Sequence, residues 1–231
     1  MRNKTISFTL FALLFAGSCK MPYQASDVNT FPGKPVYRIQ AGINKGGIVE
    51  NTDIENEPGT GVDAFSGATK TGFNVGGRVV LPLKRNAIES GLDFMQNRQT
   101  FSYEDAVNEY LGKRDITISQ FVIPLTWNLG IINQRGHGNR LEIKLGPAFQ
   151  FNLMDTRENG TNLPAFSYNR WSAGLSAGIS TTPVIFEDGS KLGLFVEGYR
   201  GSQIYEDFYN QNDFEIPGSS YSKFGIVFHF K

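Results

Sequence analysis

Residues 141–151 read LEIKLGPAFQF. Leu141, Ile143, Leu145, Phe149 and Phe151 alternate with Glu142, Lys144, Gly146, Ala148 and Gln150. Successive side chains of an extended strand point to opposite faces, so a period of two over a run this long identifies a strand with one apolar face and one polar face. The polar face here carries both signs of charge and small residues together. That combination raises the question of which side is inside.

Seven further segments repeat the pattern. Tyr37, Ile39, Ala41 and Ile43 stand against Arg38, Gln40, Gly42 and Asn44; Phe73, Val75, Val79 and Leu81 stand against Asn74, Gly76 and Arg78. Ile88, Leu92 and Phe94 oppose Glu89, Gly91 and Asp93. Trp171, Ala173, Leu175, Ala177 and Ile179 oppose Arg170, Ser172, Gly174, Ser176 and Gly178. Leu192, Leu194 and Val196 oppose Gly193, Phe195 and Glu197, and Phe224, Ile226, Phe228 and Phe230 oppose Lys223, Gly225, Val227 and His229. Near residues 115–129 the apolar series changes parity, from Ile116 and Ile118 to Phe121, Ile123, Leu125, Trp127 and Leu129. An inserted residue would do this, so a bulge is expected between Ser119 and Val122. Pro124, which has no ladder donor, weakens regular pairing nearby. No segment has a helical period; residues 104–111 (EDAVNEYL) allow one surface turn. Eight strands without helices mean a sandwich or a barrel.

Composition narrows the function. The 231 residues hold 22 basic and 22 acidic side chains, which argues against a nucleic-acid binder. One Cys excludes a disulfide framework and a multi-thiolate zinc site. No apolar run reaches the roughly 18 residues of a spanning helix.

The N-terminus reads as an export signal covering residues 1–18: Arg2 and Lys4 precede an apolar stretch from Ile6 to Ala16, followed by the small residues Gly17 and Ser18. Cys19 has two readings, a lipidated mature N-terminus or a residue beside an ordinary cleavage site. LFAGSC resembles a lipobox, with Ala16 where Leu is favoured. Residues 19–35 then form a periplasmic tether, and residues 36–231 the barrel.

Three features decide the inside. The polar phase is rich in the smallest residue, with Gly42, Gly76, Gly91, Gly146, Gly174, Gly193 and Gly225. A solvated exterior has no need of them, whereas the interior of an eight-stranded barrel is only wide enough to be filled by side chains. Connections alternate long and short, as in outer-membrane barrels with extended external loops and tight periplasmic turns, which places both termini in the periplasm. Aromatics gather at strand ends: Tyr37, Trp127, Phe228 and Phe230 at one level, and Phe73, Phe149, Phe151, Trp171, Tyr205 and Tyr221 at the other, matching the two interfaces of a bilayer. The expected fold is an all-β, eight-stranded antiparallel up-and-down transmembrane β-barrel with its apolar stripes facing lipid.

The last strand, YSKFGIVFHFK, resembles the aromatic terminal strand that outer-membrane barrels present to the β-barrel insertion machinery, with Lys231 after the final Phe as a departure. IESGLDFMQNRQTF, SQFVIPLTWNL and LEIKLGPAFQFNL are similar to segments of the PorT-like and related small outer-membrane β-barrel families. The resemblance covers most of residues 36–231. It implies an integral location in the outer membrane of a Gram-negative cell, where some members assist secretion or surface assembly.

Arg38, Arg78, Glu89, Asp93, Glu142, Lys144, Arg170 and Glu197 fall on the inward phase, four of each sign, and equal numbers suggest a paired network plugging the barrel. No catalytic arrangement is evident: His137 lies in the turn QRGHGNR, His229 in the last strand, and neither has a nucleophile in a recognisable motif. No cofactor is expected. The acidic external loops, with Glu50, Asp53, Glu55, Glu57 and Asp63 in the first, lack the spacing of a defined calcium loop. Phe208, Tyr209 and Phe214 in YEDFYNQNDFE form the candidate partner-binding loop, since exposed aromatics mark contact surfaces. The function expected is a non-enzymatic outer-membrane barrel that anchors, scaffolds or assists an envelope or secretion assembly through its external loops. Its partners are membrane lipid, the insertion machinery and other envelope proteins. The alternative is an exported lipocalin-like barrel binding an apolar ligand.

Overall fold

The computed structural model describes residues 34–47, 53–57, 62–83, 86–105, 110–134, 138–160, 163, 167–202, 204 and 219–230. Within these, nine strands are present: β1 (Val36–Gly47), β2 (Asp53–Glu57), β3 (Val62–Leu83), β4 (Asn86–Asp105), β5 (Tyr110–Gln134), β6 (Gly138–Gly160), β7 (Trp171–Ile185), β8 (Lys191–Gly201) and β9 (Ser220–His229). Every pairing is antiparallel and between chain neighbours, save the step from β1 to β3 and the closing contact of β1 with β9. Closure consumes both edges that an open sheet would expose. The barrel proper therefore has eight strands; β2 is a short addition to the first long connection, paired with the upper part of β3.

Pairing geometry assigns every side chain a direction. On β6 the odd-numbered Ile143, Leu145, Phe149 and Leu153 point outward, with Leu145 58% exposed, while Glu142, Lys144, Ala148, Gln150 and Asn152 point in and are buried. The same holds around the ring, so the exterior is a continuous band of Ile, Leu, Val and Phe, and the interior is polar. That is the reverse of a water-soluble barrel, and it is stable only where the surrounding medium is hydrocarbon.

The glycines on the inward phase are there for close approach. A Cβ at Gly76 would lie 2.0 Å from Asp93 Oδ1, and one at Gly178 would lie 2.7 Å from Glu197 Cγ. Gly77 and Gly198 point outward, and a Cβ there would meet nothing within 4 Å at Gly77 and only the Ala177 carbonyl at 3.9 Å at Gly198.

The connections differ in kind at the two ends. At the end holding the chain termini, the strand ends leave only residues 84–85, 135–137 and 186–190 between strands. The last of these is a tight turn in which Phe186 N donates to Ser190 O and Gly189 N to Phe186 O, both at 2.9 Å. Gly189 occupies φ +87°, a conformation with little penalty for glycine alone, and Asp188 Oδ1 accepts from Ser190 N at 2.9 Å to fix the bend.

Two local expectations need correction. β5 has no bulge between Ser119 and Val122: its register with β4 runs evenly through Gln96↔Ser119, Met95↔Gln120, Phe94↔Phe121 and Asp93↔Val122, and β6 follows it without a slip. Ile116 and Ile118 face inward and Phe121, Ile123 and Leu125 outward on one unbroken strand. The environment changes side, not the backbone. Below Phe121 the outside is lipid; above it the outward residues are Ser119, Thr117, Asp115 and Lys113, and the apolar side chains turn in. The ladder to β4 lapses at Ile123 and Pro124, passing from Leu125 to Val122 in the same register, and the register shifts of β5 lie nearer its ends, at Gly130–Asn133 against β6 and at Tyr110–Gly112 against β4. Secondly, the two ends of the segment 104–111 are strand, since Glu104 and Asp105 end β4 and Tyr110 begins β5; residues 106–109, where any turn would fall, lie outside the described residues. Of 25 residues in β5 and 23 in β6, about ten suffice to cross a bilayer. The remainder rises beyond it.

Candidate functional site: the barrel interior and its outer end

The interior is built in three levels. Nearest the terminal end is a charged network drawn from six strands. Arg38 of β1 bonds Glu89 of β4 at 2.6 Å and Glu142 of β6 at 2.9 Å. Arg78 of β3 is the centre: its Nε donates to Asp93 Oδ1 at 2.9 Å, its Nη2 also bonds Asp93, and it reaches Glu89 and Glu197 at 3.3 Å each. Lys144 bonds Glu89 at 2.8 Å and stands 3.6 Å from Glu197. Lys223 of β9 bonds Glu197 at 2.6 Å and Asp93 at 2.9 Å. Four cations meet four anions, and polar neighbours complete the set: Asn128 donates to Glu89 at 2.8 Å, Gln40 to Asp93 at 3.2 Å and Ser180 to Glu142 at 3.4 Å. Charges removed from water this completely are tolerable only when each has several partners, and here they do.

The second level is neutral and hydrogen-bonded. Asn44 donates to Asn97, which donates to Gln120 at 2.8 Å; Gln120 donates to Gln150 at 3.1 Å and to Asn152 at 2.9 Å. Gln150 donates to the Tyr221 hydroxyl at 3.1 Å, and Tyr221 stacks on Tyr199 with centroids 4.7 Å apart. Met95, Val122 and Ala148 pack around these rings. The third level, at the loop end, is apolar: Phe101, Tyr103, Ile116, Ile118 and Ile204 form a buried cluster with Leu111, Met154, Leu163 and Tyr168 against it. Arg114 caps it, donating to the Tyr103 hydroxyl and to Glu158 at 2.8 Å each.

Of the residues singled out from sequence, Arg38, Arg78, Glu89, Asp93, Glu142, Lys144 and Glu197 all lie in the first level. Arg170 does not. It is exposed on the bend before β7, because the strand and its alternation start only at Trp171. Lys223 takes the fourth cationic place. It stands on the inward phase of the last strand, so the alternation that found the others was sufficient to find it too. Tyr221 is another correction, since it faces the interior at 6% exposure and does not belong to an outer aromatic level. Tyr37, Trp127, Phe73, Phe149 and Trp171 do face outward, and Phe151 contacts Trp171 with ring centroids 4.8 Å apart. His229 is buried and inward-facing. Cys19, His137, Tyr205, Phe208, Tyr209 and Phe214 lie outside the described residues.

The ring closure, the lipid-facing exterior and the ion-paired interior together define a transmembrane β-barrel of the outer-membrane type. Residues 24–201 match the family described as Outer membrane protein beta-barrel domain, and the chain belongs to that family. Among solved structures it is similar to the crystal structure of the outer membrane protein OprG from Pseudomonas aeruginosa, with 11% identity, a TM-score of 0.46, and coverage of 84% of this chain and 95% of that one. No curated protein matches it.

Proposed function

We propose that this outer-membrane barrel is a closed, non-enzymatic anchor that scaffolds or assists an envelope or secretion assembly, with both termini in the periplasm and the rising parts of β3–β6 as its outer contact surface. The observation that carries this reading is the interior itself. At the level of the apolar band it is occupied by eight ion-paired side chains, none more than 8% exposed. A conduit needs a solvated lumen, and a lipocalin-like site needs an apolar one; the network supplies neither. The uneven strand lengths point the same way. β4, β5 and β6 continue well beyond the apolar band and are filled by the Phe101–Ile118 cluster, so the protein keeps a packed body outside the bilayer.

The remaining parts of this proposal follow from sequence: an export signal over residues 1–18, Cys19 as a lipid attachment point or a plain cleavage neighbour, a tether over 19–35, recognition of the last strand by the insertion machinery, and contact through Phe208, Tyr209 and Phe214. Cross-linking in living cells tests it. A photoreactive side chain at Thr117 or Arg157, which face outward above the band, should give a discrete protein adduct, and one at Ile143 in the band should not. Absence of any adduct from the outer positions, or stable single-channel currents from the purified protein in planar bilayers, would overturn the anchor reading.

A further inference from the structure

Just above the apolar band, the outward face is not uniform around the ring. On β8, β9, β1, β3 and β4, the apolar stripes end at Val196, Phe224, Ile43, Phe73 and Phe94. The exposed residues that follow are Arg200, Ser222, Lys45, Thr71 with Lys70 beside it, and Arg98. Lys45 lies directly opposite Ser222, whose other neighbour is Gly198, and Arg200 is two residues beyond Gly198 on the same face. Lys70 and Arg98 are direct cross-strand partners, two like charges side by side, an arrangement that is unfavourable unless anions share the site. Lys70 also bonds Asp115 of β5 at 3.2 Å, and Arg98 donates to Gln96 at 3.2 Å. Among the side chains described on these five strands, the next outward acid is Glu104, near the top of β4. Asp115 thus borders the collar from β5, and the other side of the ring differs in that β6 places Asp155 outward at the corresponding height.

Gly198 adds a second feature. Inward glycines here are required by crowding, but a Cβ at Gly198 would meet only one atom, 3.9 Å away. An outward glycine with room to spare leaves a shallow groove in the apolar surface, bordered by Val196 and Phe224 and opening upward between Lys45 and Arg200.

We propose that this cationic half-collar is a binding site for the phosphorylated headgroup of an outer-leaflet glycolipid, with its phosphates on Lys45 and Arg200 and on Lys70 and Arg98, and an acyl chain along the Gly198 groove. Continuity with the lipid-facing band commits the surface to a lipid, and its charge selects an anionic one. The inference rests on the loop end facing the outer leaflet, part of the function proposed above.

The test uses the full-length mature protein in a neutral detergent, with bis-phosphorylated lipid A and the same lipid stripped of phosphate as probes, and native mass spectrometry as the readout. The phosphorylated lipid should be retained through detergent removal and the stripped one lost. The variant K45Q/K70Q/R98Q/R200Q should bind it roughly tenfold or more weakly. K113Q/R157Q, which removes two outward cations of β5 and β6, should bind within about twofold of the parent. Heat-dependent gel migration confirms that each variant is folded. Filling the groove with G198V should weaken retention of the lipid while leaving inorganic phosphate without effect. Equal retention of the two lipids, equal loss in both charge variants, competition by inorganic phosphate, or loss of binding in EDTA (which would mean that a bridging divalent cation, not these side chains, holds the phosphate) would each overturn the site. An epitope inserted after Gly160 reads orientation separately: if antibody cannot reach it on intact cells although the lipid still binds in vitro, the orientation fails and the site stands.

Discussion

Arg78 faces Glu89 and Asp93 of β4 and Glu197 of β8 at once, and no other described side chain of the interior bonds as many carboxylates. Replacing it with Met keeps the volume but leaves the network one positive charge short, with no water to screen the excess. R78M should lose about 3–5 kcal/mol of unfolding free energy, measured by urea titration in detergent, and D93N in the same background should recover part of it. If R78M unfolds at the parent's urea midpoint, the ion pairs are not holding the barrel together. The neighbouring glycines give a matched pair. G76A places a methyl group against Asp93 and should cost about 1–3 kcal/mol, whereas G77A points a methyl group at lipid and should stay within about 0.5 kcal/mol of the parent. Both effects are local, and both depend only on which way one Cβ points.

Between Gly112 and Leu129, β5 passes through two solvents without a shift of register. Its outward series runs from Lys113, Asp115, Thr117 and Ser119 to Phe121, Ile123, Leu125, Trp127 and Leu129, with the inward series complementary at each level. A strand crossing from water into hydrocarbon has to exchange the character of its two faces at the boundary, and here that happens between Ser119 and Phe121. Substitution to Arg along the outward series should therefore trace depth. I123R should cost about 2–4 kcal/mol and T117R about 0–1 kcal/mol, read as the shift in folding free energy in lipid vesicles. Equal penalties at the two positions would mean that the band continues past Ser119. Above the boundary, Thr100 and Lys70 both bond Asp115, and the Thr100 hydroxyl, foremost, with the Lys70 ammonium holds its carboxyl below the usual range. A depressed carboxylate stabilises the fold above its unfolded-state pKa, and that support is lost as pH falls through the folded-state value. D115N should flatten this acid-side dependence by slightly lowering stability at neutral pH and leaving it unchanged at acid pH, which urea midpoints across an acid pH series would reveal.

At the scale of the whole molecule, β1 closes onto β9, and Lys223 reaches Asp93 across 130 sequence positions. Such contacts form only when the ring is complete, so the network both needs closure and rewards it. The protein in planar bilayers should show no stable conductance, and the charge-balanced variant R78Q/D93N/E197Q/K223Q, which keeps Arg38 and Lys144 against Glu89 and Glu142, should, if it migrates as a folded barrel, remain closed as well, because the Asn–Gln level and the Phe101–Ile118 cluster lie further along the same axis. A steady current in that variant, with none in the parent, would assign the network alone the role of gate and displace the structural reading.

Alternation by itself determined that these segments are strands, and the small inward residues determined that the apolar stripes face lipid, because both follow from the two-residue period and from the narrow lumen of a small barrel. It also placed seven of the eight network charges, each by parity alone, and Lys223 was open to the same reasoning. Parity has no means of telling where a strand begins, which is why Arg170, one residue before β7, looked inward. Nor does it report the medium, so a change of solvent along β5 resembled an inserted residue between Ser119 and Val122. Only the tertiary structure decided which carboxylate each cation meets, how far β4 to β6 rise above the bilayer, and which strands bring Lys45, Arg98 and Arg200 to one side of the ring. Those are properties of register and closure between distant segments, and a period of two within one segment carries no information about the segment it will lie beside.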